Sequence, residues 1–207
     1  MTRKRFAVLV SLGILIAGLQ LAPVHAQVGV AAGLNFETLS DIEAFDATTT
    51  FDNATGYHAG IFFDLGMGPV GLRIGAFYRD LGEFDATGDV NDELEKIKLT
   101  MIDFPVDIRV NLTSSPAVQP YVLAGPVFSL PSSVNDEFDG TLQSLYISGN
   151  VGVGLSLNLG GVRLFPEVRY AIGVSNLVED GAELGGIELQ TDDTRVNSAM
   201  LRLGIAF

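Results

Sequence analysis

Eight stretches of this 207-residue chain alternate apolar and polar side chains with a period of two, and several carry fixed charges on the polar phase. A β-strand turns successive side chains to opposite faces, so each stretch describes a ribbon with one oily side and one polar side. The stretches are residues 28–36, 56–65, 70–79, 97–112, 120–130, 145–159, 162–174 and 195–207. Each has about the 9–11 residues that a tilted strand needs to cross a bilayer, a few with overhang. In the sixth, Leu145, Ile147, Val151, Val153, Leu155, Leu157 and Leu159 share one parity, and Tyr146, Ser148, Asn150, Gly152, Gly154, Ser156 and Asn158 the other. The seventh separates Val162, Leu164, Val168, Tyr170 and Ile172 from Arg163, Phe165, Glu167 and Arg169. A soluble lipocalin-like barrel would bury the apolar parity around a greasy pocket. A polar parity that mixes Gly and Ser with Arg and Glu is too polar for such a pocket and too small for the core between two sheets. The pattern predicts the reverse arrangement, with apolar side chains turned to lipid and polar ones turned inward.

The connections alternate in length. Short turns follow the second, fourth and sixth stretches (residues 66–69, 113–119 and 160–161), and long ones follow the first, third, fifth and seventh. Outer-membrane barrels have this asymmetry, with short periplasmic turns and longer extracellular loops. It predicts both termini on the periplasmic side, which an even number of strands satisfies. Of the 25 acidic residues, 21 fall in residues 37–52, 80–95, 136–139 and 179–193. Blocks of like charge repel and stay solvated, so these stretches are expected to be exposed loops. An acidic surface of this kind argues against a nucleic-acid partner, which needs a basic patch.

At the N-terminus, Arg3, Lys4 and Arg5 precede an apolar run over residues 6–22 and the small-residue exit Val24-His25-Ala26. This is the layout of a secretory signal peptide over residues 1–26, with cleavage expected after Ala26 and a barrel domain over 27–207. Beyond residue 26 no stretch approaches the 18 or more apolar residues of a membrane helix, so a membrane-spanning mature protein must span with strands. There is no cysteine, which excludes disulfides, zinc-thiolate sites and a lipid anchor on cysteine. At the other end, Leu201, Leu203, Ile205 and Phe207 form the apolar phase of an alternation that runs to the last residue, and are expected to be the closing-strand signal read by the outer-membrane assembly machinery.

Three prolines interrupt the pattern. Pro105, Pro126 and Pro166 fall inside expected strands, where a missing N–H breaks the ladder and a closed barrel offers no free edge. β-bulges are expected there. The fourth stretch has a slip in phase, with Leu99 and Met101 on one parity and Phe104, Val106, Ile108 and Val110 on the other. The faces of the fifth stretch are not assigned by its alternation.

Taken with their order and spacing, Met101-Ile102-Asp103-Phe104-Pro105-Val106, Pro120-Tyr121-Val122-Leu123-Ala124-Gly125-Pro126, Glu167-Val168-Arg169-Tyr170-Ala171-Ile172-Gly173 and the terminal Leu203-Gly204-Ile205-Ala206-Phe207 cover nearly the whole mature chain. On these pieces it resembles the small outer-membrane β-barrel proteins abundant in Bacteroidota-type bacteria, the "porin family" or outer membrane β-barrel domain proteins. The resemblance implies an all-β fold, an eight-stranded antiparallel up-and-down transmembrane β-barrel, in the outer membrane of a Gram-negative cell. Pro105 and Pro126 fall where that family tends to have proline, and Ile205 departs from the tyrosine its closing strands often carry. The family name implies no established transport activity.

The inward parity is expected to hold Asp64, Arg73, Asp103, Asp107, Arg109, Arg163, Glu167, Arg169 and Arg202 as a lumen charge network. An eight-stranded barrel has an interior only just wide enough for side chains, so these charges are expected to interlock as a plug. The alternative is a narrow passive channel for small ions or solutes. Outward Tyr57, Phe63, Tyr78, Tyr170 and Phe207 are candidates for aromatic girdles. Asp89, Asn91 and Glu93, and separately Asp136 and Asp139, cluster oxygens of the kind hard cations take, without the EF-hand pattern. They are weak candidates for calcium or for looser bridging to lipopolysaccharide phosphates. His58 is the only histidine of the mature chain, with Asp52 and Thr55 near it in sequence. It is the one candidate for a lipid A-modifying enzyme, which would need a serine beside it. No serine is placed there, and no enzyme activity or cofactor is expected. The expected protein is a monomer that contacts outer-membrane lipid and lipopolysaccharide, with a structural or surface-interaction role.

Overall fold

A computed structural model describes residues 24–39, 42–44, 47–51, 53–87, 96–115, 117–133, 142–178, 183–184, 187–188 and 195–207. Its strands, in chain order, are β1 Val24–Leu39, β2 Ile42–Ala44, β3 Ala47–Phe51, β4 Ala54–Met67, β5 Val70–Thr87, β6 Lys96–Asn111, β7 Val118–Ser133, β8 Tyr146–Asn158, β9 Arg163–Gly173, β10 Glu183–Leu184, β11 Ile187–Glu188 and β12 Val196–Ala206. The eight long strands form the barrel. Each pairs antiparallel with the next, and β1 closes the ring by pairing with both β4 and β12, for example Gly33 with His58 and with Arg202. Hydrocarbon offers backbone groups no water, so closure is what leaves no strand edge unpaired. The barrel has two unlike ends. The turn end carries both termini of the ring and the connections after β4, β6 and β8, and the loop end carries the rest. At the loop end β2 and β3 form a hairpin that leans on the far end of β5 through Thr50–Thr87 and Phe51–Ala86.

The apolar parity faces outward. Val153, Val168 and Leu201 are 56%, 53% and 49% exposed, whereas Tyr121 and Phe165 on the opposite parity are 1% and 0% exposed. Tyr57, Phe63, Tyr78, Tyr170 and Phe207 are all exposed on the outer face. So are Leu201 and Leu203, with Ile205 half-exposed beside them.

Several expectations are corrected. The strands run further than their alternation indicates: β1 continues to Leu39, β5 to Thr87 and β7 to Ser133. Glu37 and Asp80, assigned by charge density to solvated loops, are therefore strand residues and are buried at 0% and 7% exposure. Nor does the fourth stretch slip in phase. Leu99 and Met101 point inward on the same parity as Asp103, Asp107 and Arg109, where they join an apolar cluster at the loop end. The fifth stretch turns Tyr121, Leu123, Val127 and Ser129 inward.

The bulges expected at the prolines are also absent. Pro126 stays in register with Gly149 and Pro166 with Leu203, and the β6–β7 register is the same on either side of Pro105. A proline forfeits one ladder bond, and the many bonds around it hold the alignment. Among the described residues the register shift lies elsewhere, in β5 between Asp80 and Gly82. Gly82 sits there at φ 88°, and its N–H donates to Asp80 Oδ1 at 2.8 Å. A left-handed residue beside a capping carboxylate makes a bulge that only glycine adopts without strain.

Between Pro105 and Pro126 the sheet creases. The pairs that would join residues 106–107 to 125–126 are missing, and a Cβ on Gly125 would lie 1.9 Å from the Val106 carbonyl oxygen and 2.8 Å from its carbon. Both are backbone atoms, so no side chain can swing aside. Gly125→Ala should cost at least the ~1–3 kcal/mol of an overpacked core and lower the yield of the folded, heat-modifiable band on a gel. Gly149→Ala, where a Cβ meets nothing within 4 Å, should stay within about 0.5 kcal/mol of the parent. Equal folding of the two variants would refute the crease.

Candidate functional site

Among the described residues, charge on the barrel strands concentrates in the interior, with exposed Glu83 and Lys98 near the loop end outside it. Six arginines (Arg73, Arg79, Arg109, Arg163, Arg169 and Arg202) and five carboxylates (Glu37, Asp64, Asp103, Asp107 and Glu167) take the inward parity among the described residues. The strands bring most of them into two networks.

The first occupies the half nearer the turn end. Arg73 on β5 donates to Asp64 of the adjacent β4 through Nη2 at 2.5 Å and Nε at 3.0 Å, and reaches across the lumen to Glu167 on β9. Arg109 on β6 donates to the same Asp64 oxygen at 2.5 Å. Arg169 Nε donates to Glu167 Oε2 at 2.7 Å, and its Nη1 donates to Asp107 Oδ2 on β6 at 2.8 Å. Asn150 Nδ2 and the Tyr121 hydroxyl complete the carboxylates, donating to Asp107 at 2.6 Å and to Glu167 at 2.5 Å. Phe62, Tyr121 and Phe165 fill the space between, with ring centroids 4.8, 5.5 and 4.6 Å from the Arg73 guanidinium carbon. Cation–π attraction strengthens where water is excluded.

The second network lies toward the loop end. Arg79 Nη1 donates to Glu37 Oε1 at 3.3 Å, and its Nε lies 2.8 Å from Asp103 Oδ2. The Ser129 hydroxyl donates to Asp103 Oδ1 at 2.6 Å. Asn35 Nδ2 donates to Glu37 at 2.8 Å and to the Asp80 carbonyl at 2.9 Å. A chain from Arg202 joins it: Arg202 Nε donates to His58 Nε2 at 3.0 Å, and His58 Nδ1 lies 3.3 Å from Asn35 Oδ1. A guanidinium can only donate. That fixes the rest of the order, with Nε2 of His58 accepting, the proton on Nδ1, and Asn35 turned so that its oxygen receives it. Above this network Leu39, Leu81, Phe84, Leu99, Met101, Leu142, Tyr146, Leu177, Val178 and Val196 form an apolar cluster, with Ala54 among them. Tyr146 ties it together, its hydroxyl donating to the Val196 carbonyl and accepting from the Val196 N–H, both at 3.0 Å.

Of the nine interior charges expected from sequence, Asp64, Arg73, Asp107, Arg109, Glu167 and Arg169 fall in the first network and Asp103 in the second. Arg202 meets His58 rather than a carboxylate. Arg163 stands apart at the turn end, half-buried, donating to Gln27 Oε1 at 3.1 Å. Glu37, Arg79, Asn35, Ser129 and Tyr121 were not anticipated. Arg79 shares the parity of Arg73 within the same stretch, and Glu37 that of Asn35 one residue past the first, so the alternation held the signal for both. His58, the one candidate for lipid A chemistry, is fully buried and hydrogen-bonded at both ring nitrogens. The loop candidates Asp89, Asn91, Glu93, Asp136 and Asp139 lie outside the described residues, as does most of the expected signal peptide. Among the described residues no cluster of carboxylate or imidazole groups suits a metal ion.

The sequence matches the family model described as "Outer membrane protein beta-barrel domain" over residues 20–179. With the closed eight-stranded ring, this establishes the class of protein: it belongs to that outer-membrane β-barrel family and so to the outer membrane of Gram-negative bacteria. Among solved structures the fold is similar to Neisserial surface protein A (TM-score 0.53, 15% identity, 88% of this chain and 97% of that one). It is also similar to OprG from Pseudomonas aeruginosa (TM-score 0.51, 14% identity, 88% and 96%). At these identities the similarity concerns the fold. A search of curated proteins finds no match.

Removing one member of a dry ion pair strands the other. Arg169→Ala and Asp107→Ala should each lower unfolding stability in urea and lipid vesicles by about 3–5 kcal/mol. Residues in one network are coupled, so the double variant should lose clearly less than the sum. Additive losses, or unchanged urea resistance, would contradict the network.

Proposed function

We propose that this protein is a monomeric, non-enzymatic barrel whose lumen is plugged by charged side chains, and that it acts through membrane integrity or through contacts made by its acidic loops. The supporting observation is cross-lumen pairing: Arg73–Glu167 and Arg169–Asp107 join strands that are not neighbours in the ring. An ion or solute on the barrel axis would have to part those pairs and then pass the apolar cluster at the loop end. The buried position of His58, with Nε2 already occupied by Arg202, speaks against a role in lipid A chemistry. In planar bilayers the refolded protein should give no discrete conductance steps. Reproducible steps would replace the plug with the alternative of a narrow channel.

On this reading the termini and short turns face the periplasm and the long acidic loops face outward, where divalent ions would link them to lipopolysaccharide phosphates. The absence of cysteine allows a clean test of orientation. In intact cells a membrane-impermeant maleimide should label Gly140→Cys in a long connection and spare Ser115→Cys in a short turn. The opposite pattern would invert the proposed orientation.

A further inference from the structure

At the turn end Gln27 is half-buried on the inward parity of β1. It pairs with Asp64 across the β1–β4 ladder, and its carboxamide oxygen Oε1 accepts from Arg163 Nη1 of β9 at 3.1 Å. The cut expected after Ala26 would take residues 24–26 from β1 and leave Gln27 as the first residue. Given that cut, and whatever fills the lumen, we propose that Gln27 is a modification site: its new α-amine closes on its own side-chain carboxamide to give an N-terminal pyroglutamate, with Arg163 polarising the carbonyl that is attacked.

In this reaction the amine nitrogen attacks Cδ and forms the C–N bond of a lactam ring. The bond from Cδ to Nε2 breaks, and the proton given up by the amine leaves with the departing ammonia, so no oxidant, cofactor or second substrate is needed. Three observations support it. First, negative charge develops on Oε1 during the attack, and the Arg163 N–H is already aimed at that atom. A donor fixed where charge appears lowers the barrier. The barrel builds this placement: Arg163 reaches over β12, where it pairs with Ala206 and Ala206 with Gly29, two small residues that leave the guanidinium a path. Second, an open α-amine would be an ammonium within one side chain's length of Arg163, and like charges at a half-buried site repel with little screening. Asp64, the ladder partner of Gln27, already accepts from Arg73 and Arg109, and closure of the ring removes the added charge. Third, Gln27 stays in place after the cut, because the Val28 carbonyl accepts from the Phe207 N–H at 3.1 Å and Gly29 remains paired with both Ala206 and Phe62. The lactam keeps a carbonyl oxygen and one N–H, so an acceptor for Arg163 and a donor for the ladder are both still available. A closed end also gives aminopeptidases no amine to bind.

The test is to express the full chain in a Gram-negative host, purify the barrel from outer membranes, tag free amines by reductive methylation before any digestion, and weigh the N-terminal peptide that ends at Glu37. The expected peptide begins at Gln27, carries no tag and is one ammonia lighter than its sequence. A tagged amine on Gln27 refutes the closure, a chain that begins at another residue refutes the cut, and either overturns the proposal. The part played by Arg163 is read from rates. A refolded barrel with an enterokinase site directly ahead of Gln27 starts the reaction when it is cut, and ammonia loss should be several-fold faster in the folded protein than in the same protein unfolded in urea. Arg163→Gln should slow the folded rate toward the unfolded one. Equal rates for the folded and unfolded parent overturn the role of Arg163, and that comparison holds even if the variant fails to fold.

Discussion

A backbone N–H or C=O left unpaired in hydrocarbon costs several kcal/mol, and that penalty shapes this molecule before any side chain does. It requires the sheet to close, as β1 does by pairing with both β4 and β12. Closure at eight strands leaves an interior about wide enough for side chains and little else. Whatever the inward parity carries is then taken out of water, whether apolar or charged. The lumen networks are the outcome of that narrowness: a charge that cannot reach solvent must find a partner across or along the barrel.

The partners are chosen so that few strands stand alone. Glu167 on β9 receives Arg73 from β5, Tyr121 from β7 and Arg169 from its own strand. Asp64 on β4 receives arginines from β5 and β6. Ladder bonds join neighbours only, so these side-chain links supply the stiffness across the lumen that the sheet itself lacks. Arginine suits the task because its planar fork offers several donors in fixed directions. The same one-way donation sets the tautomer of His58 and the flip of Asn35, so that a single guanidinium orients two residues in series.

Much of this was legible in the sequence and some was not, for identifiable reasons. The period of two survives in every membrane-crossing strand because one face must meet lipid, and it correctly sorted Val153 from Gly154 and Val168 from Glu167. It fails where the strand leaves the bilayer. Past that level outward positions such as Thr38 and Asp80 no longer have to be apolar, so the alternation ends there and inward Glu37 reads with the acidic loop although the backbone ladder continues through it. Leu99 and Met101 mimic a change of phase for the converse reason: at the loop end the interior is apolar, so hydrophobic residues occupy the inward parity. The prolines mislead because sequence shows the lost N–H but not the bonds on either side that keep the register. Pairing is the least visible level. That Arg73 meets Asp64 follows from adjacent β4 and β5, but that it also meets Glu167 depends on the tilt and stagger of the closed ring.

The unequal strand lengths carry one more consequence. β5, β6 and β7 have 18, 16 and 16 residues, whereas β8, β9 and β12 have 13, 11 and 11. With the turn end drawn level by its short connections, the surplus projects at the loop end on one side of the ring, where the β2–β3 hairpin braces it. The low side is covered by an isolated bridge between Leu142 and Val178, whose side chains, with that of Leu177, complete the apolar cluster. Two of the long connections, those after β7 and β9, are thus held by buried hydrophobic contacts at the barrel end. On the proposed non-enzymatic role, a lumen crossed by ion pairs and an apolar wall leave the loop end as the place where contacts of this barrel would be varied.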